Sequence, residues 1–235
     1  MKIRNIIIVI TVLILLIISC EKNENFDTQN TVDSTQVNTD SLVDSNVTQN
    51  YYNLVKIHGE WGHIYLWLFD ETPLHKERFL WLTNNGYFDH QTFNRVVNNF
   101  VVQGGNDLDT LEMDTILEMT PYEKVNGLVH QIGALGAARL GDDENPLRMD
   151  LGDQWYICEE IDSANAARLD TGYVIFGQVI SDLEVIKQLG RKPVNFNSDI
   201  PRNPIYFNID TVTVSQTFLI DSIGYNIDTL MIPQQ

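Results

Sequence analysis

Gly86-Tyr87-Phe88-Asp89-His90-Gln91-Thr92-Phe93-Asn94-Arg95-Val96-Val97-Asn98-Asn99-Phe100-Val101-Val102-Gln103-Gly104-Gly105 is the stretch on which the fold turns. It begins where Asn84-Asn85-Gly86 stops a helix, since glycine takes the left-handed conformation that ends one. Apolar residues then gather over 93–102, which predicts strand. The segment closes on paired glycines.

Upstream, residues 53–57 and 62–69 read as two strands joined by a glycine-containing turn. Ile64, Leu66 and Leu68 share one strand face. Asp70-Glu71 breaks the second strand, with Thr72 as N-cap and Pro73 at the first helical position. Leu74, Arg78, Phe79, Leu82 and Thr83 recur at helical spacing. Downstream, short apolar strands are predicted over 133–138, 154–158 and 174–179, a helix over 183–189 and a last strand over 205–214. Many short strands with two helices predict a mainly β protein, a closed barrel plugged by helices. Residues 216–235 form a C-terminal extension whose apolar side chains could pack on the barrel or add a strand.

The amino terminus has a different character. Lys2 and Arg4 precede an apolar run over 6–18, broken only by Thr11. A membrane-spanning helix needs about 20 apolar residues, so this run has the length of a signal-peptide core. It ends Ile17-Ile18-Ser19-Cys20, which resembles the lipobox of bacterial lipoproteins. The resemblance implies removal of residues 1–19 and acylation (palmitate among the chains) at Cys20. Residues 20–50 follow as a polar tether without Gly or Pro, too poor in apolar surface to fold. The folded domain occupies 51–215. The implied location is extracytoplasmic: anchored by lipid to a bacterial cell envelope, in the periplasm or on the outer membrane.

A net charge of −17 repels phosphate backbones and anionic bilayers, so nucleic acid is excluded as a partner and membrane contact is through the anchor only. With Cys20 processed, Cys158 stands alone and reads as an inert buried thiol. His58, His63, His75, His90 and His130 show no paired ligand spacing, and Leu111 and Glu112 spoil a calcium loop around Asp107, Asp109 and Asp114. No metal is expected.

The opening segment resembles the signature of cyclophilin-type peptidyl-prolyl cis-trans isomerases: Phe, polar, Arg, two aliphatics, two free positions, Phe, aliphatic, any, Gln-Gly-Gly. Gly133-Ala134-Leu135-Gly136-Ala137-Ala138, Gly152-Asp153-Gln154-Trp155-Tyr156-Ile157 and the run 169–179 agree in order and spacing. The likeness extends over about 53–214. It implies a closed eight-stranded barrel with two capping helices and an external groove for proline. Carried over by position, Arg95 is the catalytic cation and Gln103 its partner. Phe100, Val101, Tyr156 and Leu169 form the apolar proline pocket, Gln154 lies along the groove, Ala138 flanks it, and Tyr173 replaces a common His. Asn94, Arg139 and Arg168 depart from the usual pattern. The acidic segment 106–119 stands where a glycine-rich loop is usual, which points to a preference for basic peptides.

The implied activity is rotation about X–Pro bonds in extracytoplasmic polypeptides, assisting their folding, by a monomer without a cofactor. The rival is a catalytically weak proline-peptide binding module or chaperone, which needs the pocket but not Arg95. Alone, Arg95 would read as a surface ion-pair residue, Phe100 as core and Gln103 as a turn cap.

Overall fold

In this computed structural model residues 49–105 and 119–226 are described. The signal segment, Cys20, the tether to residue 48, nearly all of the acidic segment 106–119, and residues 227–235 lie outside them.

Alternation builds the first hairpin. β1 (Tyr51–Gly59) and β2 (Gly62–Leu68) pair antiparallel with Val55 opposite Leu66 and Ile57 opposite Ile64. These four side chains are fully buried, and Leu68 nearly so, as the period-two pattern requires. β9 (Tyr206–Ser215) covers the other edge of β1. β8 (Ile175–Val179), β6 (Ala134–Ala137), β7 (Gln154–Cys158), β5 (Val101–Gly105) and β4 (Arg95–Val97) continue the sheet beyond β2, and β3 (Gln91–Thr92) borders β9.

The expected closed barrel of eight strands is therefore corrected. Among the described residues there are nine strands in one curled antiparallel sheet, ordered β3-β9-β1-β2-β8-β6-β7-β5-β4. The two ends of that order are neighbours in sequence. Between them the Phe93 N–H bonds the Ile205 carbonyl and the Asn94 N–H bonds the Gln103 carbonyl, at 3.0 Å each. The sheet curls back on itself through a bridging chain, without a β3–β4 ladder. The predicted strand over 93–102 is likewise broken. Asn99 takes φ +58°, and its N–H bonds the carboxylate of buried Glu159 at 2.6 Å. That turn separates β4 from β5.

Aromatic rings fill the concave side. Trp155 lies 5.8 Å from Phe93 and 5.4 Å from Phe207, with Phe79 and Phe88 5.2 Å apart nearby. Gly104 is required by this cluster, because a β-carbon there would sit 2.8 Å from the Trp155 ring.

Helix α1 (Pro73–Asn84) closes one end of this core through His75, Phe79, Leu82 and Thr83. Leu74, on the same helical spacing, is exposed. Thr72 precedes the helix as expected, but its side chain makes no capping bond. Glu123 caps it instead, its carboxylate accepting from the Leu74 and His75 N–H groups at 3.2 and 3.3 Å. α3 (Leu183–Gly190) presents Ile186 and Leu189 to the core. A further helix, α2 (Ser163–Asp170), was not expected; Asp162 caps it by accepting from the Asn165 N–H at 2.7 Å. With α4 (Gln216–Phe218) there are four helices among the described residues. A π-helical turn, Leu219–Ile223, follows α4 and buries Leu219 against Leu54 and Ile180, so this part of the extension packs on the sheet.

Candidate active site

Register assembles a row of groups on the convex face. Arg95 of β4 is opposite Gln103 of β5, Gln103 is opposite Tyr156 of β7, and Tyr156 is opposite Gly136 of β6. Directly opposed residues of antiparallel strands project to the same side, so one line across four strands carries a guanidinium, an amide and a phenol. Gly136 gives the phenol room: a β-carbon there would lie 2.3 Å from the Tyr156 ring. Period two then sends Val101 to the same side as Gln103, and Gln154 and Cys158 to the same side as Tyr156. Trp155 and Ile157 turn into the core.

A cleft of about 520 Å³ lies near the β1–β2 turn and contains none of the expected residues. The groove of interest is smaller, about 330 Å³, and all nine expected site residues line it: Arg95, Phe100, Val101, Gln103, Ala138, Gln154, Tyr156, Leu169 and Tyr173. Among the described residues three more line it, Arg139, Leu151 and Arg168. The Asn99 turn brings Phe100 to the groove, and α2 brings Leu169. The Gln103 side-chain amide donates to the Gln154 Oε1 at 3.0 Å, so it is held along the groove. The Arg95 Nε lies 3.7 Å from the Asp199 carboxylate, with side chains 40% and 45% exposed. Asp199 sits at φ +56°, and its carbonyl accepts from the Val96 N–H at 2.8 Å. A half-exposed pair at that distance steadies the guanidinium without occupying all its donors.

Groups that the sequence reading did not single out hold the floor. The Tyr156 hydroxyl bonds His130 Nε2 at 2.7 Å, and His130 Nδ1 bonds Asp170 at 2.6 Å. The Asp170 carboxylate also accepts from the His130 N–H at 2.8 Å. Burial lowers the His130 pKa, and Asp170 opposes it without prevailing. A neutral ring donates Nδ1–H to Asp170 and accepts the Tyr156 O–H at Nε2. Burial likewise pushes the Tyr156 phenol well above its ordinary value, so it stays a donor. Tyr173 stands edge-on to Tyr156 at 6.2 Å, beneath the Arg139 guanidinium at 4.4 Å. Cys158 is fully buried under the same wall, its thiol pushed up to about 12 chiefly by burial.

A second buried constellation lies at the α1 end. His75 bridges Asp150 at 2.6 Å and Glu123 at 2.8 Å. Burial opposes its charge, but the hydrogen bonds to Asp150 and Glu123 outweigh burial and raise its pKa. Asp150 is completely buried, and burial raises its pKa while the hydrogen bond from His75 opposes the rise. Among the described residues no three His, Cys, Asp or Glu side chains are grouped to hold a metal ion.

Comparison with known proteins adds the following. Residues 54–214 match the family model described as cyclophilin type peptidyl-prolyl cis-trans isomerase/CLD. A peptidyl-prolyl cis-trans isomerase of Acinetobacter baylyi is 25% identical over 157 residues, covering 65% of this chain and 81% of its own. Peptidyl-prolyl cis-trans isomerase-like 3 of Gallus gallus is 30% identical over 162 residues, covering 67% and 94%. Among solved structures, a cyclophilin type isomerase of Cryptosporidium parvum superposes with TM-score 0.58 at 24% identity, over 70% of this chain and 98% of that one. The same protein in the presence of the dipeptide Ala-Pro gives TM-score 0.56, over 68% and 97%.

Proposed function

The chain belongs to the cyclophilin-type peptidyl-prolyl cis-trans isomerase family, and from that premise we propose that Arg95 is the group through which it speeds rotation about X–Pro bonds. The barrier to that rotation is about 18–20 kcal/mol, because twisting the amide sacrifices its resonance. No covalent bond need break. At the half-rotated geometry the proline nitrogen regains a lone pair, which a guanidinium N–H can meet. That interaction is absent from both planar isomers, so it lowers the barrier rather than merely binding substrate. Arg suits the task because it stays charged and offers several donors.

The observation that carries this reading is the row itself, with Arg95 two strands from Tyr156 across Gln103. Phe100, Val101, Tyr156 and Leu169 form a seat that holds the pyrrolidine ring. Gln103, with Gln154 beside it, is placed to hold the carbonyl of a bound peptide. The Ala-Pro dipeptide named for the Cryptosporidium relative agrees with proline-containing polypeptides as the substrate class.

Residues 1–50 support a location. Their basic start, apolar core and Ser19-Cys20 end favour a lipoprotein acylated at Cys20, tethered outside the cytoplasm, where it assists the folding of exported polypeptides. Labelling with radioactive palmitate, lost in Cys20→Ser, is the expected result for that part. For the chemistry, NMR exchange on an X–Pro peptide is compared between the wild type and Arg95→Ala. Removing one preorganised donor costs roughly 10²–10³ in rate. A variant that keeps its fold and its turnover would refute Arg95 as the catalytic group and favour a binding module.

A further inference from the structure

We infer that the groove favours X–Pro segments bearing a carboxylate side chain within two residues of the proline, and that Arg168 recognises it. This rests on the reading of the groove as the proline site.

The first observation is its charge. Among the described residues, three of the twelve that line it are arginines and none is Asp or Glu, in a chain whose net charge is −17. The three arginines are not equivalent. Arg95 shares Asp199. Arg139 is locked: its side chain is 5% exposed, Nη1 is 2.7 Å from Asp142, and Nε donates to the Gly172 carbonyl at 2.6 Å. Arg168 is exposed. Its guanidinium lies 5.7 Å from the Phe100 ring and donates to the Asn165 side-chain oxygen at 3.3 Å. Among the described residues no carboxylate pairs with it.

A cation in the last turn of α2 suits the helix dipole, but that alone does not place it over Phe100. Phe100 is one wall of the proline seat. A side chain lodged against it sets its sequence neighbours beside the one groove guanidinium, among those described, whose charge is unanswered. An acidic neighbour supplies that answer; a basic one is repelled. The sign is opposite to that expected from the acidic segment 106–119.

An exposed ion pair is weak, so the effect is modest. Replacing Gln by Glu at the favoured position raises kcat/KM about three- to fivefold, equivalent to about 0.7–1 kcal/mol. The preference fades in 0.5 M salt, because exposed charges are screened.

The experiment uses matched peptides carrying Glu or Gln at each of the two positions on either side of proline. Turnover is read by NMR exchange and affinity by chemical-shift titration, with wild type, Arg168→Gln and Arg168→Glu. The expected Glu-to-Gln ratio is about three to five at one position or more in the wild type, near one in Arg168→Gln and below one in Arg168→Glu. A ratio near one at every position, or an unchanged ratio in Arg168→Gln, overturns the inference. Turnover of the Gln peptides tests the catalytic reading separately. Preferential binding of Glu peptides without turnover would leave recognition standing and remove catalysis.

Discussion

Tyr156→Phe deletes a single oxygen and tests whether the groove floor is held from behind. The aromatic ring keeps its place over Gly136 and beside Tyr173. What is lost is the 2.7 Å bond to His130. His130 is only 3% exposed, so water cannot replace the donor. Its Nδ1 stays committed to Asp170, leaving Nε2 a buried acceptor without a proton. A stranded buried polar atom costs about 1–3 kcal/mol. At about 2–4 °C per kcal/mol for a chain of this size, a loss near 2 kcal/mol lowers Tm by about 4–8 °C. Urea unfolding followed by tryptophan fluorescence, to which Trp155, the buried neighbour of Tyr156 in β7, contributes, measures the cost. Adding His130→Leu removes the stranded acceptor and should recover part of the loss, since Asp170 is 26% exposed and can turn to solvent. The cycle should therefore return a coupling well outside the additivity error of about 0.3–0.5 kcal/mol. A Tyr156→Phe protein as stable as wild type would refute the argument, because the hydroxyl would then have a ready substitute.

The two buried histidines act on opposite sides of pH 6.5, their ordinary value. His75 has a raised pKa in the fold, so its stabilisation is complete below that pH and is lost as pH rises through the raised value, whereas His130, with a lowered pKa, withdraws stability as pH falls from 6.5 through the lowered value. Denaturant titrations across pH should show His75→Gln flattening the alkaline limb alone and His130→Gln the acid limb alone; one limb unaffected by its own variant would remove that assignment. Gly104→Ala drives a β-carbon to 2.8 Å from the Trp155 ring and should cost about 1–3 kcal/mol by overpacking, read as a lower urea midpoint. The Cys158 thiol, pushed up to about 12 and fully buried, should resist a thiol reagent at pH 8 until the protein unfolds; labelling of the native state at the rate of a free thiol would contradict its burial.

How much of this was legible beforehand depends on whether a residue's role comes from its strand face or from its register. In 154–158 the alternation sends Gln154 and Tyr156 one way and Trp155 and Ile157 the other, and period two is visible in any chain. The pairing of Arg95 with Gln103 is not. It depends on where β4 turns into β5, and Val96-Val97-Asn98-Asn99-Phe100-Val101 reads equally well as one strand. Asn99 can enter the positive-φ region, but what stabilises it there is Glu159, sixty residues on in the chain. α2 does carry a local signal, an Asp162 cap ahead of an alanine-rich run.

The His130–Asp170 support is of the other kind. Nothing near His130 in sequence marks it, and its partners arrive from β7 and the end of α2 only after the sheet has curled. The same holds for Arg168, which stands beside Leu169 in sequence and faces away from it in role: one side chain is buried in the groove wall and the other stands exposed at its rim. Short-range patterns specify which side of a strand or helix a residue takes. A shared groove requires the sheet to bring β4, β5, β6 and β7 into one registered row, and that depends on turns fixed by distant carboxylates. A substitution at Glu159 should therefore disturb Phe100 and the Arg95 row together, although neither touches the Glu159 side chain in any pairing visible from sequence.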